Sequence, residues 1–114
     1  MVIKETGIGS KEVFFADLEH YMSDLGFDRG AWDYKHATYD YKIDDKGNTY
    51  YLRIEANVTK GKLEDSHAEL KLEEPLIGKH LFPHGIDYDC NMPDSVVQTA
   101  KRKLQMLNEK ISSH

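Results

Sequence analysis

HATYDYKIDDKGNTYYLRIEANV, residues 36–58, alternates oily and polar side chains along almost its whole length. Ala37, Tyr39, Tyr41 and Ile43 share one parity, and Thr38, Asp40 and Lys42 take the other. After Asp44-Asp45-Lys46-Gly47 the pattern resumes, with Tyr50, Leu52, Ile54, Ala56 and Val58 set against Thr49, Tyr51, Arg53, Glu55 and Asn57. A period of two belongs to an extended strand, whose successive side chains point to opposite faces. The stretch is therefore expected to form one long hairpin. A four-residue loop at 44–47 pairs Ile43 with Asn48, Tyr41 with Tyr50, Tyr39 with Leu52 and Ala37 with Ile54, so both apolar sets land on one face. A slip of one residue would bury Arg53 and Glu55 instead. On the opposite face the same register sets Lys42 beside Thr49, Asp40 beside Tyr51, Thr38 beside Arg53 and His36 beside Glu55.

An apolar sheet face needs a cover, and two segments have the period to supply it. From Lys11 to Leu25, the residues Phe14, Leu18, Tyr21 and Leu25 fall four, three and four apart, the spacing of one helical face. Ser10 is placed to cap this helix, and Gly26 to end it with Phe27 folding back on Met22. The last helix opens at Pro93 and Asp94 and repeats Val97, Ala100, Leu104, Leu107 and Ile111 in the same way. Around these, Val2 to Thr6 reads as a short strand, and Ala68, Leu70 and Leu72 extend the sheet. Pro75 and Gly78 bracket a turn, and Lys79 to Tyr88 reads as a strand broken at Pro83 and Gly85. The expected fold is α+β, a curved antiparallel sheet of four to five strands with two helices on one face, in the order β-α-β-β-β-β-α. The other face stays polar and aromatic. No repeat, low-complexity tract or linker divides the chain, and 114 residues support one core, so a single domain is expected over 1–114.

A formal charge of −5 opposes long-range attraction to phosphate backbones or anionic lipid. Lys4 and Glu5 stand where a secretory signal would be apolar, and no later segment approaches membrane-spanning length, so a cytosolic location without a membrane partner is expected. Cys90, the single cysteine, has no internal disulfide partner, which suits a reducing compartment; it reads as a free loop thiol.

Four strings stand out together: Trp32-Asp33-Tyr34, Thr38-Tyr39-Asp40-Tyr41, Tyr50-Tyr51-Leu52-Arg53, and Gly78-Lys79-His80 followed by Pro83-His84-Gly85. With them the chain resembles the YugN-like family of bacilli and their relatives from the first helix to the last. The resemblance implies a β-α-β4-α arrangement similar to TATA-binding-protein-like folds. It implies no reaction and carries over no catalytic residue, and a shared fold would not supply a function.

Candidate chemistry is sparse. His67, His80 and His84 belong to the third and fourth strand regions, and imidazole is the commonest zinc ligand, so a metal-dependent or small-molecule-processing site around them is one reading. Spacing opposes its simplest form: residues four apart on an extended strand lie roughly 13 Å apart, so His80 and His84 share an ion only if Pro83 and Gly85 fold the chain back. His36 beside Glu55 could orient an imidazole for proton transfer, although the two read first as an ordinary surface cross-strand pair. No phosphate loop, nucleophile elbow or paired-carboxylate string is present, and nothing identifies a cofactor. Trp32, Tyr34 and Tyr51 beside Arg53 invite comparison with single-stranded RNA binders, but residues 48–54 lack the glycine and spacing of an RNP element, and the acidic balance opposes nucleic acid. The remaining reading is a binding or protein-interaction module that uses the open face, with Trp32, Tyr34, His36, Tyr51, Arg53 and Glu55 as its candidate residues and a homo-oligomer as its simplest form.

Overall fold

Lys46 and Gly47, with φ of 48° and 82°, close the central hairpin in a two-residue turn. Successive left-handed residues match the right-handed twist of the flanking strands, and glycine takes the second position without strain. The computed structural model describes residues 1–81, 85–88 and 91–113. Along the chain come β1 (Glu12–Phe14), α1 (Phe15–Leu25), β2 (Asp28–Asp33), β3 (His36–Asp45), β4 (Asn48–Lys60), β5 (Glu69–Leu72), β6 (Leu76–Leu81), β7 (Gly85–Asp87) and α2 (Asp94–Ser112). Among the described residues seven strands make one antiparallel sheet, β1-β5-β4-β3-β2, in which β6 pairs the opposite half of the same β4 edge and β7 pairs β6.

The shorter turn moves the hairpin register by two residues from the one expected. Asp45 pairs with Asn48, Ile43 with Tyr50, Tyr41 with Leu52, Tyr39 with Ile54 and Ala37 with Ala56. A shift of two preserves parity, so the burial pattern holds although every individual pair changes. Leu52, Ile54 and Ala56 are fully buried, while Tyr51, Arg53 and Glu55 between them are only half-buried. Burying a Leu or Ile completely contributes about 1.5–3 kcal/mol, and a one-residue slip would forfeit this for each of them.

The class and the two helices are as expected; the strand count is higher. Residues 11–14 belong to the sheet and not to the helix: Leu72 donates its N–H to the Lys11 carbonyl (2.8 Å) and Phe15 donates to Ala68 (2.8 Å), so the β1–β5 ladder holds this backbone extended. Phe14 is the N-cap of α1, and Ser10, at φ 69°, donates its own N–H to Leu72 instead of capping the helix. The helix ends as its sequence suggests, with Gly26 at φ 86° and Phe27 donating to the Met22 carbonyl at 2.9 Å, a Schellman ending. β2 was hidden by Gly30 and by a bulge between Arg29 and Trp32, which break the alternation. Gly78 lies inside β6, not at a turn, and of the segment 2–6 only Val2 makes a bridge, to Leu76.

Both helices pack on the apolar side. Phe15, Leu18, Tyr21, Met22 and Leu25 of α1, with Val96, Ala100, Leu104 and Leu107 of α2, join the sheet residues in one core. Val96, not Val97, is the first buried position of α2. Ile8 and Leu63, from connecting segments, are also sealed in it. Among the described residues no helix is long and apolar enough to cross a membrane.

Candidate functional site

Parity leaves the face opposite the helices to Thr38, Asp40 and Lys42 on β3 and to Tyr51, Arg53, Glu55 and Asn57 on β4. The observed register sets Asp40 directly across from Arg53. Arg53 donates from Nε to Asp40 Oδ1 (2.8 Å) and from Nη2 to Oδ2 (3.0 Å), a two-pronged fit of guanidinium and carboxylate. Its Nη1 donates to the Tyr88 hydroxyl at 2.8 Å. The bond from Asp40 holds the Arg53 guanidinium even further into its charged form, against the opposing effect of burial.

Tyr88 reaches Arg53 across β6 because Gly78 stands between them. A Cβ at Gly78 would lie 2.3 Å from Ile86 Cγ2 and 2.9 Å from Tyr88 Cδ1, so only glycine leaves room for these side chains on the open side. Next to this line, Tyr51 meets the His80 ring edge-on, with centroids 5.7 Å apart.

Toward the other end of the face, His36 lies across from Asn57, and Glu55 across from Thr38. His36 Nδ1 is 2.8 Å from Asn57 Oδ1 and its Nε2 is 3.5 Å from the Thr38 hydroxyl, so both ring nitrogens are occupied. The His36–Glu55 cross-strand pair therefore does not form; the two-residue shift of register moves each to a new partner. Glu55 instead shares a hydrogen bond with Glu73, just beyond β5. Burial first, then this bond and the charge of Glu73, push the Glu55 carboxyl above its usual value, while His36 and Arg53 pull it down.

Trp32 and Tyr34 leave the open-face group. The bulge puts Trp32 opposite Ala37, on the side of the helices. There its ring lies 5.1 Å from the Arg29 guanidinium, whose other neighbour is the Phe15 ring at 5.4 Å. Tyr34 sits in the β2–β3 turn, edge-on to Trp32 at 6.0 Å, and the two rings are 63% and 45% exposed. His36, Tyr51, Arg53 and Glu55 keep the expected face.

His67 and His80 are not brought together. His67 lies in the turn before β5, beyond the Lys60–Glu69 pair, whereas His80 extends the Tyr50–Lys79 pair at the opposite end of β4. The run of strand from Thr49 to Lys60, about eleven steps of 3.3 Å, separates these ends by about 35 Å. His84, Pro83 and Cys90 lie outside the described residues. Among the described residues no group of three His, Cys, Asp or Glu is arranged to hold a metal ion.

Asp40, Tyr88, Glu73 and Gly78 were not among the candidate site residues named from sequence. One signal was available for Asp40: Lys46-Gly47 suits a two-residue turn, and that loop length places Asp40 opposite Arg53. Tyr88 offered none, since its contact depends on how β7 returns.

A family model for the YugN-like family matches residues 4–111. The uncharacterized protein YlbA of Bacillus subtilis (strain 168) is 35% identical over 104 residues, covering 89% of this chain and 87% of its own. YugN of the same organism is 31% identical over 88 residues, covering 76% of this chain and 66% of its own. The crystal structure of the uncharacterized conserved protein YugN from Geobacillus kaustophilus HTA426 is similar with a TM-score of 0.87 at 34% identity, covering 99% of this chain and 96% of that one. Sequence and fold agree over nearly the whole length: the chain belongs to the YugN-like family.

Proposed function

We propose that this protein is a cytosolic interaction module that pairs with a second copy of itself through the open face of its sheet. The observation that carries this reading is the arrangement of charge about the Asp40–Arg53 rung. One step along the face lies Lys42, exposed and, among the described residues, in no ion pair; one step the other way lies Glu55 with Glu73. A two-fold axis over the central rung sets Lys42 of each copy on the carboxyl pair of the other, as an isologous contact requires. Tyr51 and Arg53, residue types that often anchor interfaces, occupy the middle. Three of the five guanidinium N–H groups are held by Asp40 and Tyr88, so Arg53 is already ordered before a partner arrives. A single cysteine suits the reducing compartment assigned here.

Light scattering over a concentration series tests the pairing, with a dimer expected at tens of micromolar. Lys42→Glu should weaken it at least about tenfold, and adding Glu55→Lys should restore it, since the swap exchanges the two halves of each contact. A partner's ammonium favours ionised Glu55, so pairing releases a proton and strengthens as pH rises through the raised Glu55 value. A monomer at every concentration, or a double variant no better than Lys42→Glu alone, overturns the reading.

A further inference from the structure

Between the N-terminal segment and α2, on a different side of the molecule from the open face, lies a cleft of about 390 Å³. That volume is in the range of small-molecule sites. Ile3 and Leu104 floor it, and both are buried. Lys101, Gln105 and Asn108, spaced four and three apart, present one face of α2 along one wall. The other wall is an arch, residues 4–7, pinned at each end by the buried Ile3 and Ile8.

The arch is held in a shape its sequence does not favour. Glu5 has φ 61°, left-handed backbone at a residue with no glycine-like freedom, and Gly7 follows at 79°. Asn108 packs directly on Gly7, where an added Cβ would come within 2.9 Å of its Nδ2. Its Oδ1 is sealed from solvent and accepts no hydrogen bond. Core packing alone leaves the strain at Glu5 unexplained.

The charges at the mouth narrow the ligand. Among the described residues Lys4 and Lys101 line the cleft without an ion-pair partner, and Glu5 is the one carboxylate in its lining. Two cations against one carboxylate leave a single positive charge, which matches a monoanion better than a phosphate dianion. The Thr6 hydroxyl accepts the Ile8 N–H at 3.1 Å and keeps its own proton to donate. Below these groups the apolar floor requires a hydrocarbon portion. We infer that the cleft between residues 4–7 and α2 binds a small monocarboxylate with an apolar tail, its carboxylate held by Lys4 and Lys101 and its tail on Ile3 and Leu104.

Titrating the ¹⁵N-labelled full chain with octanoate is expected to move the amide signals of Lys4 to Gly7 and of Lys101 to Asn108, saturably. Octylamine, with the same tail and the opposite charge, should leave them in place, and acetate and inorganic phosphate should bind far more weakly than octanoate. Lys101→Glu, at an exposed helix position that leaves the fold intact, should weaken octanoate at least about tenfold by reversing one cation. Absence of saturable binding at millimolar octanoate, perturbation centred elsewhere, phosphate binding as tightly as octanoate, or an unchanged affinity in Lys101→Glu overturns the assignment.

Discussion

Arg29 and Arg53 stand on opposite faces of the same sheet, each held by carboxylates, and they join different things. Arg29, on β2, reaches Glu19 of α1 at 2.9 Å and Glu64 of the β4–β5 connection at 2.8 Å, with its guanidinium between the rings of Phe15 and Trp32. It fastens a helix and a loop to an edge strand of the sheet. Arg53 bonds the residue directly across the hairpin and one hydroxyl just beyond β7. Its contacts hold a surface in order, inside a sheet that backbone bonds already define. The two are similarly exposed, 23% and 27% at the side chain, so the difference between them lies in what they connect. An arginine that ties a helix and a loop to the sheet stabilises the fold; one that decorates a finished ladder is free to serve a partner.

Removing each arginine tests that distinction most directly. Arg29→Ala is expected to cost about 3 kcal/mol, because it strands Glu19 beside the buried Tyr39 hydroxyl and removes the partner that Glu64 of the β4–β5 connection has on β2. Thermal unfolding should fall by about 12 °C. Gly78→Ala comes next, at about 2 kcal/mol, since the new Cβ meets Ile86 and Tyr88 and must push β7 aside. It should also part Tyr88 from Arg53, seen as weakened self-association. Arg53→Met is expected to cost only about 1 kcal/mol in urea unfolding while abolishing the dimer. If Arg53→Met destabilised the chain as much as Arg29→Ala, the contrast between the two arginines would be wrong.

The same contrast separates what could be read from the chain and what could not. Face assignment depends on parity, and parity survives a shift of two, so Leu52 and Ile54 were placed inside with the wrong loop length. Pair identity does not survive it, and for that reason Asp40 was set beside Tyr51 and His36 beside Glu55. Arg29 gave no periodic signal: Asp28-Arg29-Gly30-Ala31 does not alternate, and the bulge that follows turns Trp32 to the helix side. The phase of Trp32 against Tyr39 was the one visible symptom. Phe14 fitted the helical spacing as well as it fits β1, and only the β5 backbone decides between them. The histidines show the opposite failure, since residues near in sequence were considered together although β4 carries His67 and His80 to its two ends.

Glu55 yields the smallest effect and the finest test of the open face. Burial and the neighbouring Glu73 raise its folded value, and the fold therefore prefers its protonated form. The stabilisation is fully present below the ordinary carboxyl value, near about 4.3, and is lost as pH rises through the raised one. Thr38 across the hairpin is neutral, and the nearby His36 and Arg53 oppose the shift without cancelling it. Glu55→Gln keeps a hydrogen-bonding side chain of the same shape and cannot ionise. Its melting temperature should match the parent at pH 3 and exceed it by about 2 °C at pH 7.5, a modest gain because water still reaches the site. The dimer should respond in the reverse sense, since Lys42 of a partner needs the charge that Glu55→Gln removes. A melting difference that stays flat across this range would mean that Glu55 ionises as freely as a fully solvated carboxyl. The acid end of the open face would then carry no stored repulsion for a partner's lysine to relieve.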